Sequence, residues 1–347
     1  MSTHYVSVQW NRQKRLYDLV LWAGIVVFVA VFVGGGFVLN PAADETTLLI
    51  RAFGIGALLL LHFVLCIGPL ARLDSRFLPL LYNRRHLGVS TFLLGLVHAA
   101  LVVFQYHLGG DRNALVSVLT SNQHIESISR FPFELFGVAA LLILFVMAVT
   151  SHDFWLKNLT PPLWKALHMT VYLAFVLLAL HVSLGVLQQE HSSLLAGLFG
   201  LGLAMVLGLQ LWASLRGHGL DRELPANAEG YIEVGPVEAI PDGRAVIATI
   251  AGERIAVFRD GHRICVLSNV CRHQNAPLGE GHVVKGLVTC PWHGYQYRLE
   301  DGQSPPPFTE RVPTFRVKLV EGKIWVDPKP NLPGTYSEPA IIEDNRP

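Results

Sequence analysis

Six apolar runs, each about long enough to cross the ~30 Å hydrocarbon core of a bilayer, occupy residues 17–39, 49–70, 87–107, 133–150, 166–187 and 193–214. A backbone in lipid must satisfy its own N–H and C=O groups, so runs of this length read as membrane-spanning helices. Hydrophobic residues make up 51% of the 347 residues and charged residues 15%, against about 25% charge in an ordinary soluble domain. A large part of the chain therefore belongs in lipid. The first run is too long for the apolar core of a signal peptide and has no small-residue cleavage site after it, so it reads as a retained span. The net charge of +1 argues against a nucleic-acid partner.

Charge at the span ends sets the orientation. Arg12, Lys14 and Arg15 precede the first span; Arg72, Arg76, Arg84 and Arg85 sit in the second connection; Lys157 and Lys165 sit in the fourth; Arg216 and Arg222 follow the last span. The opposite side has Arg51, Arg112 and Arg130 beside Asp44, Glu45, Asp111, Glu126 and Glu190. Positive residues mark the cytoplasmic side, which places both termini inside, in an inner (plasma) membrane. The connection 108–132 is the longest between spans and has room for a short interfacial helix.

The texture changes after Arg216. Residues 217–230 form a polar linker, and from 231 to 328 short β-type runs such as RAVIATI, RIAVFRD and KIWVD alternate with Gly and Pro turns. That pattern predicts a small all-β domain. The Pro-rich, polar residues 329–347 offer no core of their own and are expected to be disordered. With 1–16 as a cytoplasmic N-terminus and 17–216 as the membrane bundle, the predicted architecture is a six-helix membrane domain followed by a small β domain.

The β domain contains CRHQNAPLGEGHVVKGLVTCPWHG over 271–294. Cys271, His273, Cys290 and His293 form two short pairs, each with one thiolate and one imidazole donor. Such a set suits zinc or a [2Fe–2S] cluster in which one iron takes both thiolates and the other both imidazoles. The text SNVCRHQNAPLGEG and CPWHGYQYRLEDG, with SPPPF at 304–308 as a third loop, resembles the Rieske ferredoxin family over the whole domain. The resemblance implies that Cys271 and Cys290 hold a buried iron and that His273 and His293 hold an outer one near the surface. Rieske subunits that oxidise quinols carry an added cysteine in each loop and a serine after the second His-Gly. Here Ala276, Trp292 and Tyr295 stand instead, leaving Tyr297 to donate a hydrogen bond toward the cluster. Fewer donors to the sulfurs lower the potential, so the expected value lies at the ~−150 mV end of the Rieske range rather than at +300 mV.

Histidines inside spans are functional candidates by default. His62 lies in the second span, His86 and His98 at the start and middle of the third, and His168 and His181 in the fifth. Neutral imidazole is a natural axial ligand of haem. Spans three and five run in the same direction, which puts His98 and His181 at one level toward the outer face. His168 lies thirteen residues, about 20 Å of helix, nearer the inner side. Thirteen residues also turn an ideal helix by roughly 140°, so a tilt or bulge is needed for His168 and His181 to face one interior.

YNRRHLGVSTFLLGLVHAAL and LWKALHMTVYLAFVLLALH make the stretch 50–185 similar to the ferric-reductase-like transmembrane family. Within it, the nearest resemblance is to the haem-binding membrane subunit of the periplasmic methionine sulfoxide reductase system. The matching positions are Arg84, Arg85, Leu87, Gly88, His98, His168 and His181. NADPH oxidases of this group place an inner haem histidine where this chain has Arg84, which leaves His86 and His62 as candidates for a second haem. The resemblance implies one or two b-type haems and export of electrons. The implied donor is a cytosolic reductase or ferredoxin-type protein, and the implied acceptor stands on the outer face, a protein among the candidates. The competing reading is a haem-free membrane anchor whose Rieske domain serves a neighbouring membrane enzyme.

Overall fold

A computed structural model describes residues 12–77, 80, 83–120, 127, 131–152, 155, 159, 161–217, 224, 230–272, 276–291, 294–306 and 308–342. The chain divides into two compact units. One comprises Met1–Gly68 with Asn83–Leu209, and the other Pro69–Tyr82 with Gln210–Pro347.

The first unit is helical. Its elements, with the last helix running on into the second unit and α2 ending there, are α1 (Arg12–Leu39), α2 (Glu45–Leu73), α3 (Arg84–Tyr106), α4 (Ala114–Thr120), α5 (Glu134–Thr150), α6 (Pro161–Met169), α7 (Val171–Leu184), α8 (Val186–Glu190) and α9 (Ser193–Gly217). Among the described residues, five stretches are long and apolar enough to cross a membrane: Arg15–Leu39, Glu45–Leu73, Arg84–Tyr106, Ala166–Glu190 and Ser193–Arg216. The remaining expected span is α5, a 17-residue apolar helix. The short helix α4 falls in the 108–132 connection.

Apolar side chains cover the outside as well as the inside of this unit. Val31, Val38, Leu201 and Leu207 are all more than 60% exposed, which lipid tolerates and water does not. The interior is built from small residues and leucines. Ala140 and Leu144 of α5 and Ala174 of α7 form a buried cluster flanked by Phe92, Met147 and Leu177. Small residues at such a contact let two backbones approach closely.

The fifth expected span is not one helix. It is interrupted at Thr170, whose N–H and hydroxyl both bond to the Leu167 carbonyl, at 3.2 and 2.6 Å. Gly185 interrupts it again before α8.

In the β domain, β2 (Ala245–Ile250), β3 (Glu253–Asp260) and β4 (Arg263–Ser268) pair antiparallel in order, and β8 (Thr314–Phe315) adds to β4. A second sheet pairs β1 (Ile232–Pro236), β10 (Lys323–Val326) and β9 (Val317–Val320). Ile255, Val257, Ile264, Val266, Phe315 and Ile324 are buried in one core shared by these two sheets, as period-2 alternation requires. A third, smaller sheet pairs β5 (His282–Val284), β6 (Leu287–Thr289) and β7 (Gln296–Arg298). Its first hairpin turns on Lys285–Gly286, with φ of 54° and 76°. Two successive positive φ values are the signature of the tight turn that matches strand twist.

The expectation of disorder over 329–347 is corrected as far as Ile342; residues 343–347 lie outside the described residues. Strand β11 (Ala340–Ile341) pairs with β4, Ala340 opposite Ile264. Asn331 bonds to Thr314 through its N–H and its side chain, both at 2.9 Å. Ser337 N–H bonds to the Glu300 carbonyl at 2.7 Å and its hydroxyl to the Phe315 carbonyl at 3.0 Å. Polar residues and backbone groups make this attachment, while Leu332 and Tyr336 stay 80% and 60% exposed. A reading by apolar content misses a segment held this way. Ending the chain after Pro328 removes these bonds, each worth ~0.5–1.5 kcal/mol. The expected outcome is a β domain destabilised by a few kcal/mol, read as earlier thermal loss of its visible circular dichroism.

Candidate cofactor sites

Two sites emerge, one in each unit. In the bundle, the structure brings His98 and His181 together. Their ring centres stand 6.4 Å apart with planes at 84°. His98 Nδ1 lies 2.9 Å from the carbonyl of Ile50 on α2, and His181 Nδ1 lies 2.9 Å from the carbonyl of Phe133 at the start of α5. A carbonyl only accepts, so each Nδ1 carries the proton and each Nε2 keeps its lone pair. Binding through one nitrogen while the other donates to a fixed carbonyl is how metal-ligating imidazoles are oriented. A metal about 2 Å from a nitrogen of each ring separates two ring centres by roughly the distance seen. The pair fits a haem iron held from two sides.

Two glycines complete each half. A Cβ on Gly54 would come within 2.9 Å of His98 Nδ1, and one on Gly137 within 2.8 Å of His181 Nδ1. Sequence reasoning missed these glycines, although the chain carries a signal for them. Residues 51–61, RAFGIGALLLL, and 134–144, ELFGVAALLIL, are related by a shift of 83 positions. Under that shift Gly54 meets Gly137, Ile50 meets Phe133, Phe92 meets Phe175, and His98 meets His181. The two histidines are equivalent members of an internal repeat.

The other bundle histidines are engaged elsewhere. His168 stacks on Trp164 with ring centres 3.8 Å apart. Its Nδ1 bonds to the Trp164 carbonyl at 3.0 Å, and its Nε2 lies 3.3 Å from Ser151 Oγ. His86 Nδ1 pairs with Asp18 of α1 at 2.7 Å. His62 Nδ1 bonds to the Leu58 carbonyl of its own helix at 2.8 Å. Its ring stands edge-on to Phe175, and its buried Nε2 would be 3.1 Å from a Cβ on Gly202 of α9.

In the β domain, the loop from Cys271 to Gly281 joins β4 to β5, and the loop from Cys290 to Tyr295 joins β6 to β7. Backbone bonds wind both loops: Cys271 N–H to the Ala276 carbonyl at 2.9 Å, and Cys290 N–H to the Tyr295 carbonyl at 2.7 Å. Asn269 Oδ1 accepts from Gly279 N–H at 2.7 Å and closes the far end of the first loop. Gly281 has no room for a side chain, because a Cβ would lie 2.3 Å from the Thr289 carbonyl oxygen. Tyr295 packs on Phe308 of the Pro-rich segment, ring centres 4.6 Å apart.

Cys271 and Cys290 are buried, at 0% and 1% exposure. The fully buried Tyr297 points its hydroxyl at Cys271 Sγ, 3.4 Å away. That oxygen also accepts from Arg272 N–H at 3.2 Å, so its own proton is free to face the sulfur. Burial, then the neighbouring Cys271 and Cys290 thiols, push the Tyr297 hydroxyl far above its ordinary value. It stays a donor at every working pH. Two buried sulfurs near one fixed donor suit the thiolate-held iron of a [2Fe–2S] cluster. His273, His293 and Trp292 lie outside the described residues, as does Pro307 of the third loop. Tyr297→Phe is expected to keep the cluster and lower its potential, because a donor to sulfur favours the reduced state. A loss of ~1 kcal/mol is about 40 mV for one electron, measurable by redox titration.

Comparison with known proteins matches both parts of the chain to families. Residues 53–179 match the ferric reductase like transmembrane component, and residues 230–316 match the Rieske [2Fe-2S] domain. The heme-binding subunit MsrQ of protein-methionine-sulfoxide reductase from Ralstonia nicotianae is 30% identical over 213 residues, 59% of this chain and 89% of that protein. The ferredoxin subunit of anthranilate 1,2-dioxygenase from Burkholderia cepacia is 35% identical over 82 residues, 23% of this chain and 76% of that protein. Cholesterol 7-desaturase of Xenopus laevis is 35% identical over 95 residues, and the chain spans only 21% of that protein's length. Among solved structures, the ferredoxin of carbazole 1,9a-dioxygenase from Nocardioides aromaticivorans is 24% identical, with a TM-score of 0.28, over 28% of this chain and 98% of that one. The chain belongs to the ferric-reductase-like transmembrane family and carries a Rieske [2Fe–2S] domain after its membrane helices.

Proposed function

We propose that this protein passes electrons across an inner (plasma) membrane. They come from a cytosolic donor by way of a [2Fe–2S] cluster held by Cys271, His273, Cys290 and His293. They continue by way of one b-type haem held by His98 and His181 to an acceptor on the outer face. The observation that carries this reading is the His98–His181 pair, 6.4 Å apart with both Nδ1 atoms tied to carbonyls. Haem and cluster each supply a one-electron carrier when bound. The chain's own residues hold, orient and bury them: the glycine-backed carbonyls of Ile50 and Phe133 aim the imidazoles, and Tyr297 donates to Cys271.

The basic residues support the sidedness. Arg72, Arg76, Arg84 and Arg85 crowd one set of span ends, and a cytoplasmic position for them puts the Rieske domain and both termini inside. The donor is a cytosolic reductase or ferredoxin-type protein, the class of partner that feeds clusters of low potential. The acceptor is taken to be a protein, in keeping with the heme-binding subunit role of the Ralstonia relative.

A redox titration followed by optical and electron-spin spectroscopy on one detergent-solubilised sample tests the reading. The expected result is one low-spin b-type haem and one Rieske cluster per chain, the cluster near the ~−150 mV end of its range. A full complement of cluster with no haem would establish the anchored ferredoxin instead.

A further inference from the structure

We infer that Gly54 and Gly137 are positioning residues that set the rotation of the two haem-ligating imidazoles. The inference rests on the haem reading of His98 and His181 and adds what fixes their geometry. In an α-helix each Cα–Cβ bond leans toward the N-terminus, so the side chain at position i+4 covers the carbonyl of residue i. That carbonyl already accepts the i+4 N–H along the helix axis. Its second lone pair points outward, beside that side chain. A ring N–H from a neighbouring helix reaches it only if residue i+4 has no side chain.

Both halves place a glycine four residues past the accepting carbonyl, although Ile50 lies inside α2 whereas Phe133 directly precedes α5 and its carbonyl accepts from Phe136 N–H, at 3.2 Å. Ile50 accepts His98 Nδ1–H, and Gly54 stands four residues on; Phe133 accepts His181 Nδ1–H, and Gly137 stands four residues on. A Cβ on Gly54 would lie 2.9 Å from His98 Nδ1 and 3.0 Å from Cε1. On Gly137 the distances to His181 are 2.8 and 2.9 Å. The atoms met are not the loose end of a flexible chain: each ring is held at Nδ1 by its carbonyl. A methyl group at either glycine must turn the ring or lift it from that carbonyl. Gly95 and Gly197, on helices of the same bundle, lack this constraint. Gly95 would meet only Leu141, at 3.5 Å, and Gly197 nothing within 4 Å.

The test is the electron-spin spectrum and haem midpoint potential of full-length Gly54→Ala and Gly137→Ala, with Gly95→Ala and Gly197→Ala as controls. The g anisotropy of a low-spin ferric haem reports the angle between its two imidazole planes, which stand at 84° here. Each of the two variants is expected to change that anisotropy. Each is also expected to raise the potential, because an imidazole that loses its Nδ1–H···O=C bond is a weaker base. A monodisperse variant that has lost most of its haem gives the same support. Haem signals identical to those of the unaltered protein overturn the inference. So does aggregation of both variants while the controls stay monodisperse, which would mark the glycines as helix-packing residues only. Absence of haem from the unaltered protein would defeat the underlying haem reading instead, and is seen before any variant is made.

Discussion

Replacing either His98 or His181 by alanine removes the haem and leaves the Rieske signal in place. Each imidazole offers a lone pair that its fixed tautomer leaves at Nε2, and each is aimed by a carbonyl on another helix, Ile50 or Phe133. Loss of a partner that merely orients a ligand costs about 10–100-fold in metal affinity, and loss of the ligand itself costs more. The two halves are related by an internal repeat, so neither histidine is subordinate and the two variants should behave alike. Haem per chain, measured as the pyridine haemochrome, should fall more than tenfold in each. His62→Ala, His86→Ala and His168→Ala should retain the haem proposed between His98 and His181, because the facing pair of rings 6.4 Å apart stays intact in all three variants. Full haem in both His98→Ala and His181→Ala would remove the centre from the bundle. Haem loss in His168→Ala alone would move it toward the other end.

Apolar runs and Cys-His spacing made the two-part architecture legible, since burial in lipid and metal ligation each demand a residue type at a fixed interval. Three features were not legible from hydropathy and spacing. The break at Thr170 depends on one hydroxyl turning back on the Leu167 carbonyl, and hydropathy does not register it. His62 and His86 are candidates for a second haem by their place in and beside spans, and the sequence does not show what each ring meets. One of them answers to a carboxylate 68 residues away, Asp18. Gly54 and Gly137, beside His98 and His181, would act by lacking a side chain, so no scale of hydrophobicity weights them. They become visible only when residues 51–61 and 134–144 are laid over one another. The tail beyond Pro328 was misjudged for the complementary reason. Its attachment uses Asn331, Ser337 and backbone groups, and apolar content measures none of these.

The four cysteines should divide cleanly into two that hold iron and two that do not. Cys271→Ser and Cys290→Ser keep the side-chain volume and the loop bonds to Ala276 and Tyr295, but replace a thiolate by a hydroxyl that binds iron poorly. Each is expected to abolish the Rieske electron-spin signal and the acid-labile sulfide, with haem content unchanged. Cys265 is buried too, on the face of β4 opposite Ile264 and Val266. Burial pushes its thiol up to about 12, so it stays protonated near neutral pH, and it lies outside the two Cys-His loops. Cys66 lies buried among the apolar residues of α2. Cys265→Ala and Cys66→Ala should therefore keep the full cluster signal, at most with the ~1 kcal/mol loss of stability that a removed core group brings. Metal analysis of the same samples separates the two chemistries that a Cys-His set allows. Iron and sulfide lost together in the two serine variants identify the cluster, whereas zinc in the unaltered protein with no sulfide in any sample would identify a structural zinc site. Retention of iron with Cys265 as the sensitive residue would place the metal at β4 rather than at the two Cys-His loops.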